Sequence, residues 1–254
     1  MKLGFIGTGV ITEAMVRGLC GPGGHQEPIH VTERSRARSQ RLAAAFANVT
    51  VLPDNQTVVD QSDWVIVALR PEHASGILSS LHFRPPHRVI SLVAGLDLQT
   101  VASLVKPATA VHRVNPLPPI ERGEGPILLY PPDDAVAALL SRVGRPVGLA
   151  DEHQYHVAMC GGALIGMFFE LVATTARWTE RQGIPPEAAA AYATSLFHAL
   201  AGLTLDKDAA ALQQLAAEMT PGGLNEQVLH ELRKRHWFAA EEEMMQLILA
   251  RLTR

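Results

Sequence analysis

Apolar runs alternate with amphipathic stretches along the first 150 residues, and the pattern predicts strands and helices in turn. Lys2–Ile6 reads as a short apolar strand. Thr12–Cys20 follows as a helix with Ala14, Met15 and Leu19 available to pack, and the glycines of Gly21–Gly24 end it. Ile29–Thr32 predicts a second strand, Arg36–Phe46 a second helix and Thr57–Asp60 a further short element. Trp64–Leu69 is apolar at every position, the mark of a strand buried on both faces in a parallel sheet. Val89–Val93, Thr109–Val114 and Ile127–Tyr130 repeat that theme, and Leu139–Val143 before Gly144 reads as a helix end. Strands separated by helical stretches imply βαβ units.

The texture changes near Asp151. From there to Arg254 the chain carries long Ala/Leu/Glu/Gln stretches and no strand pattern. Gly183–Pro186 and Thr220–Gly223 separate helices, and Glu226–Lys234 and Ala239–Leu252 close the chain as helices. Val157–Val172 is the most apolar stretch of this half. It contains Gly161, Gly162 and Glu170, holds no run of 18 apolar residues, and reads as a buried helix rather than a membrane span.

Composition narrows the partners. Apolar residues make up 47% of the 254 and charged residues 19%, a globular mixture. A formal net charge of −3 argues against a nucleic-acid binder. Two cysteines, Cys20 and Cys160, form no disulfide framework, and the eleven histidines show no compact ligand motif, so no metal is expected. The N-terminus lacks a signal-peptide pattern, and a cytoplasmic protein is expected.

The chemistry starts at Gly7-Thr8-Gly9-Val10-Ile11-Thr12, between the first strand and the first helix. Gly7 permits a tight turn, and Gly9 lets the backbone approach a pyrophosphate whose charge the helix N-terminus stabilises. Residues 7 to 11 are therefore expected to touch a dinucleotide; a purely structural turn is the alternative. Thr12 stands where a third Gly or Ala is usual, which predicts looser helix–strand packing. The second strand runs into Glu33-Arg34-Ser35, with Arg38 nearby. Glu33 suits the ribose hydroxyls of NAD, whereas Arg34, Ser35 and Arg38 suit the 2′-phosphate of NADP. The number of donors favours NADP, with NAD possible and a solvated basic helix start as the plain reading. Ala68-Leu69-Arg70-Pro71, and Ala94-Gly95 within Ser91–Gly95, follow apolar strands where such sheets bind ligands; turn chemistry alone is the alternative. The fold class expected is an α/β Rossmann-type N-terminal domain with a parallel-rich sheet over residues 1–150. An all-α domain for dimerisation and substrate binding follows over 151–254.

Taken in order, these segments resemble the pyrroline-5-carboxylate reductase family over nearly the full chain. Ala68–Pro71 is similar to its apolar-Lys-Pro segment with Arg70 for Lys, and Ser91–Gly95 to its apolar-Ala-Gly motif. Arg113-Val114-Asn115-Pro116-Leu117-Pro118-Pro119 resembles Arg-x-Met-Pro-Asn-x-Pro, with Asn115 for Met and Leu117 for Asn. Cys160–Ala163 falls at Ser-Gly-Pro-Ala, with Glu170 at the expected distance. Thr220-Pro221-Gly222-Gly223-Leu224-Asn225 resembles Ser-Pro-Gly-Gly-Thr-Thr, with Leu224 and Asn225 replacing the two substrate-holding threonines. The resemblance implies NAD(P)H-dependent reduction of a small cyclic imino acid, 1-pyrroline-5-carboxylate, to proline. It also implies a homodimer through interlocked C-terminal helices.

The substrate end is read from residue chemistry beside this likeness. Pro221–Asn225 offers the Gly222 and Gly223 N–H groups and a helix start near Asn225 to a carboxylate. Two roles are open to Asn115: orienting substrate or nicotinamide through its amide, or standing in a rigid crossover. Arg113 suits a structural ion pair. Glu170 either reaches the imine nitrogen through water or caps a neighbouring element. Oxidoreductases of the wider β-hydroxyacid or F420-dependent class share the domain order. The absence of Lys between Asp151 and Glu180 counts against the hydroxyacid type. A cofactor-binding protein without catalysis is the third alternative.

Overall fold

The computed structural model describes residues 1–253 except Pro22, and of Arg34 the backbone alone. Among these residues the contacts divide the chain into two compact units, Met1–Met159 and Cys160–Arg254. The division falls at Met159/Cys160 rather than near residue 150, inside a helix, so Glu152, Tyr155 and His156 belong with the first unit.

In the first unit eight strands form one sheet: β1 (Leu3–Ile6), β2 (Ile29–Thr32), β3 (Val49–Leu52), β4 (Trp64–Val67), β5 (Arg88–Ser91), β6 (Ala110–Asn115), β7 (Pro126–Tyr130) and β8 (Arg145–Gly148). The order is β3-β2-β1-β4-β5-β6-β7-β8, and every neighbouring pair is parallel except β6–β7. Helices α1 (Val10–Leu19), α2 (Arg36–Ala45), α3 (Asn55–Gln61), α4 (Pro71–Leu78), α5 (Leu98–Leu104) and α6 (Asp134–Leu140) connect the strands. The strand order reverses between β1 and β4, which makes their carboxyl ends a topological switch point.

The alternation of side chains along each strand divides the core into two layers. Leu3, Phe5, Ile66 and Ile90 pack with Met15, Val16 and Leu19 of α1 on one face. Ile6, Val65, Val67 and Val89 pack with Ala74 and Leu78 of α4 and Val101 of α5 on the other. Each fully buried aliphatic side chain contributes about 1.5–3 kcal/mol. Continuous apolar runs are required here because both faces of β1, β4 and β5 are covered.

The sequence pattern missed the edge strands β3 and β8, and Thr57–Asp60 turns out to lie inside α3. Val49-Thr50-Val51-Leu52 carries β-branched residues suited to a strand and pairs with β2, whereas Arg145-Pro146-Val147-Gly148, with its Pro and Gly, shows no strand pattern and is a strand through its pairing with β7.

Helix α7 (Glu152–Gly162) crosses the division between the units. The second unit continues with α8 (Ile165–Arg181), α9 (Pro186–Gly202), α10 (Ala209–Ala217), α11 (Leu224–Lys234) and α12 (Trp237–Leu252). Helices α8 and α9 pack together through small residues, with Ala189 and Ala193 buried and the Phe168 and Phe197 rings edge to face at 6.2 Å. The expected burial of Val157–Val172 does not hold in the single chain, where Val157 is 47% and Phe169 65% exposed. A two-helix layer has one apolar stripe more than it can cover by itself. By length and composition Glu152–Arg181 is apolar enough to cross a membrane. A turn at Ala163–Leu164 interrupts it, and Glu170 and Arg177 lie on it.

Candidate active site

The carboxyl edge of the sheet gathers the loops singled out in the first unit. Register places Ile6 beside Val67 and Val67 beside Ser91, so the turns after β1, β4 and β5 leave the sheet at one level. Asn115 ends β6 two residues beyond Arg113, which pairs with Ser91. It is half-buried.

The glycine turn is built for close approach. Gly7 has φ +93°, and a Cβ there would lie 2.4 Å from the Ala68 carbonyl oxygen, so the turns after β1 and β4 touch. Gly9 is the N-cap of α1, and a Cβ on it would meet nothing within 4 Å. Its side adjoins open space, as a pyrophosphate requires. Asp54, Asp97 and Asp133 cap α3, α5 and α6 with their carboxylates. No side chain caps α1, α2 or α4, whose N-termini follow β1, β2 and β4. Their first-turn N–H groups are therefore free of side-chain acceptors.

Two threonines lock this turn. Thr8, 2% exposed, donates its hydroxyl to the Thr32 carbonyl at 2.8 Å and so ties the turn to the end of β2. Its side chain is used inside the protein, which leaves its backbone as the part able to face a ligand. Thr12 is fully buried and donates to the Gly7 carbonyl at 2.7 Å. The looser packing expected of a third-position Thr does not occur, because the hydroxyl clamps the turn it begins. Val10 is 63% exposed and Ile11 half-buried at the helix start.

At the end of β2, Glu33 and Arg38 are already paired. Glu33 binds Arg36 Nε at 3.3 Å, and Arg38 Nε binds Glu13 Oε2 at 3.2 Å. Ser35 is the N-cap of α2 with no side-chain capping bond, and the Arg34 side chain lies outside the described residues. After β4, Leu69 is buried, Arg70 is exposed as the N-cap of α4, and Pro71 opens that helix. After β5, Ala94 and Gly95 are exposed, with Gly95 at φ +78°.

A buried cluster supports this edge from below. Arg113, 2% exposed, forms an ion pair with Glu152 and stacks on the Tyr155 ring with its guanidinium carbon 4.5 Å from the centroid. The same Glu152 oxygen accepts the Leu98 N–H at 3.1 Å, so the pair links β6, the start of α5 and the start of α7. Burial pushes the Tyr155 hydroxyl up to about 12. Burial, then Arg113, lowers His156 from its ordinary value. The sequence suggested an ion pair for Arg113, but nothing local singled out Glu152, 39 positions away.

In the second unit Gly223 is the N-cap of α11, Leu224 is its first residue and 81% exposed, and Pro221 and Asn225 are exposed. The two N–H donors expected there are in use: Gly222 N donates to Glu226 Oε2 at 2.7 Å, and Gly223 N to the Thr220 carbonyl at 2.9 Å. The Glu226 carboxylate thus occupies the position foreseen for a substrate carboxylate. An open depression of about 690 Å³ beside the turn is lined by Gly222, Gly223, Glu226, His230 and Arg233, among others. Glu170 on α8 is exposed and accepts from Arg177 and from Thr174 Oγ1. The Arg177 hydrogen bond, then that of Thr174, holds its carboxyl below the usual carboxylate range. Among the described residues no group of His, Cys, Asp and Glu could hold a metal.

Comparisons with known proteins give the arrangement a context. The family described as NADP oxidoreductase coenzyme F420-dependent matches residues 2–95. Pyrroline-5-carboxylate reductase 2 of Bacillus subtilis is 26% identical over 245 residues, covering 91% of this chain and 87% of the relative. The pyrroline-5-carboxylate reductase of Haemophilus influenzae is 26% identical over 263 residues, covering 98% and 95%. The solved structure of the Plasmodium falciparum pyrroline carboxylate reductase with NADP bound superposes with a TM-score of 0.82 at 18% identity, over 99% of this chain and 97% of that one. Sequence likeness that runs through both units, on a shared fold, makes this chain similar over nearly its whole length to the pyrroline-5-carboxylate reductases.

Proposed function

We propose that the protein is an NADPH-dependent oxidoreductase that reduces the C=N bond of a cyclic imino acid, 1-pyrroline-5-carboxylate, to give proline. The observation that carries this reading is the carboxyl edge of the sheet. There an uncapped helix N-terminus and the open side of Gly9 lie level with the loops at Ala68 and Gly95, in a chain similar to these reductases from end to end.

The chain's own residues have definable tasks. Thr8 and Thr12 hold the turn so that the backbone of Gly7–Ile11 faces the pyrophosphate. Ala68–Pro71 and Ala94–Gly95 line the nicotinamide end, and Ser35, Arg34 and Arg38 receive the 2′-phosphate. Bound coenzyme supplies the hydride for the imine carbon. Asn115, stiffened by Pro116, orients the reacting groups through its amide. A pyrroline-type imine holds its own proton, so the chain contributes position rather than a strong acid. Glu170, kept acidic by Arg177, is not needed as a proton donor. Pro221–Asn225 binds the substrate carboxylate once Glu226 releases the Gly222 N–H.

The helical unit pairs with a second copy of the chain in this reading. Phe169, Leu247 and Trp178 are 65%, 61% and 56% exposed in the single chain, and burying them is worth about 1.5–3 kcal/mol each. The net charge of −3 and the small number of cysteines fit a small-molecule enzyme of the cytoplasm.

The test is oxidation of NADPH and NADH by purified protein with 1-pyrroline-5-carboxylate and with its six-membered analogue, alongside light scattering. Turnover of the five-membered imine by a dimer is expected. Coenzyme binding without turnover of either imine sinks the assignment. A second reading, a deazaflavin-coupled NADP oxidoreductase, is favoured by the match over residues 2–95, and F420-dependent NADP reduction is its assay.

A further inference from the structure

Glu13, in the first turn of α1, has no part in the scheme above, yet three guanidinium groups converge on it. Its side chain is 18% exposed. Arg17 Nη2 lies 3.2 Å from Oε1, while Arg38 Nε and Arg41 Nη2 lie 3.2 and 3.4 Å from Oε2. Burial pushes the carboxyl up, but Arg17 and Arg41 outweigh it and the group titrates below its ordinary value. Arg17 belongs to the same helix, whereas Arg38 and Arg41 cross from α2.

The mode of the Arg38 contact matters. It engages Nε, and among the described residues the two Nη nitrogens have no protein acceptor. With its Nε side drawn to the carboxylate by charge, without a hydrogen bond, the guanidinium leaves its Nη pair as a planar fork of donors, the geometry that grips a phosphate. Glu33, the other carboxylate near this helix start, is turned onto Arg36.

We propose that Glu13 is a positioning residue for coenzyme selection: it holds Arg38 across the α1–α2 gap with its Nη pair ready for the 2′-phosphate of NADPH. The proposal rests on the NADPH reading given above. Without the carboxylate, a long and rotamer-rich side chain must be ordered at each binding event, and only a ligand carrying the 2′-phosphate suffers for it.

Calorimetric or fluorescence titration measures this with NADPH, NADH and adenosine 2′,5′-bisphosphate, on wild type, Glu13→Gln, Arg38→Gln and the double variant. Glu13→Gln is expected to weaken NADPH and the bisphosphate about 5- to 10-fold and NADH less than twofold. In the Arg38→Gln background the same change is expected to add nothing, since Glu13 acts through Arg38. NADPH binding that is unchanged or tighter in Glu13→Gln overturns the proposal and makes the carboxylate a mere offset to excess positive charge. Equal losses for NADPH and NADH, or a full further loss in the Arg38→Gln background, also overturn it. A wild type that binds NADH as well as NADPH and ignores the bisphosphate overturns the coenzyme reading and this proposal together. Preference for NADPH kept in Glu13→Gln overturns this proposal alone.

Discussion

Alanine at position 7 and alanine at position 9 probe different physics within one turn. Gly7 sits at φ +93°, and an added Cβ would stand 2.4 Å from the Ala68 carbonyl oxygen. That oxygen is backbone at the end of β4 and cannot swing aside as a side chain would. Left-handed strain of about 1 kcal/mol and forced overpacking of about 1–3 kcal/mol together make Gly7→Ala cost about 2–4 kcal/mol. In a chain of this size that corresponds to a fall in Tm of roughly 5–15 °C. Gly9 has φ −88° and ψ −170°, ordinary extended backbone, and its Cβ direction is open. Gly9→Ala is therefore expected to leave stability unchanged or to raise it by less than about 1 kcal/mol, with no fall in Tm. The new methyl group occupies the approach to the α1 N-terminus, and NADPH affinity is expected to fall at least about tenfold. Scanning calorimetry of both variants without coenzyme, followed by fluorescence titration with NADPH, reads both effects. Wild-type NADPH affinity in Gly9→Ala refutes the placement of the pyrophosphate. A wild-type Tm in Gly7→Ala refutes the contact between the turns after β1 and β4.

Three further outcomes follow from the same geometry. Thr12→Val keeps the shape but removes the 2.7 Å bond to the buried Gly7 carbonyl, and a loss of about 1–2 kcal/mol in urea unfolding is expected. Glu152→Ala strands the buried Arg113 guanidinium. Because Glu152 is 31% exposed, the loss is expected at about 2–3 kcal/mol, and Arg113→Met added to it should restore part of the stability in the same assay. Burial, the leading cause in each case, holds His25, His30 and His87 below their ordinary 6.5. The unfolded chain then takes up protons that the folded chain refuses, so stability is present above pH 6.5 and falls as pH drops below it. Asp54 and Asp97, lowered first by their capping N–H bonds from Thr57 and Thr100, add a second loss as pH falls below their ordinary 3.8. A Tm that stays level from pH 7.5 to 5 contradicts the histidine effect.

The glycine turn and the apolar strands were legible because their signals lie within a few residues. Lys2–Ile6, Trp64–Leu69 and Val89–Val93 announce buried parallel strands by composition alone, and the loops that follow them gather at one edge once the strands pair in register. The edge strand β8 carries no such signal, since its partner rather than its Arg-Pro-Val-Gly side chains makes it a strand, while β3 has β-branched residues but only its ends buried. Arg38 was legible as a donor near the end of β2. Its pairing with Glu13, 25 positions earlier, was not, because it depends on how α1 and α2 pack. Likewise the Gly222 N–H was legible as a donor, but not that Glu226, one helical turn on, would accept from it.

The amino-acid sequence by itself determined the class of the fold and the place of the glycine turn. Continuous apolar runs, glycine punctuation and helical texture are local properties, set by side-chain chemistry over a few successive residues. Only the tertiary structure decided how individual polar groups are used: Thr12 as a clamp rather than a misfit, Arg113 with Glu152, Glu13 among three arginines. It also decided that the apolar stripe of α8 stands open in the single chain. These outcomes depend on register and crossover geometry, which bring together residues tens of positions apart, and a side chain's own chemistry does not specify which partner it will meet there.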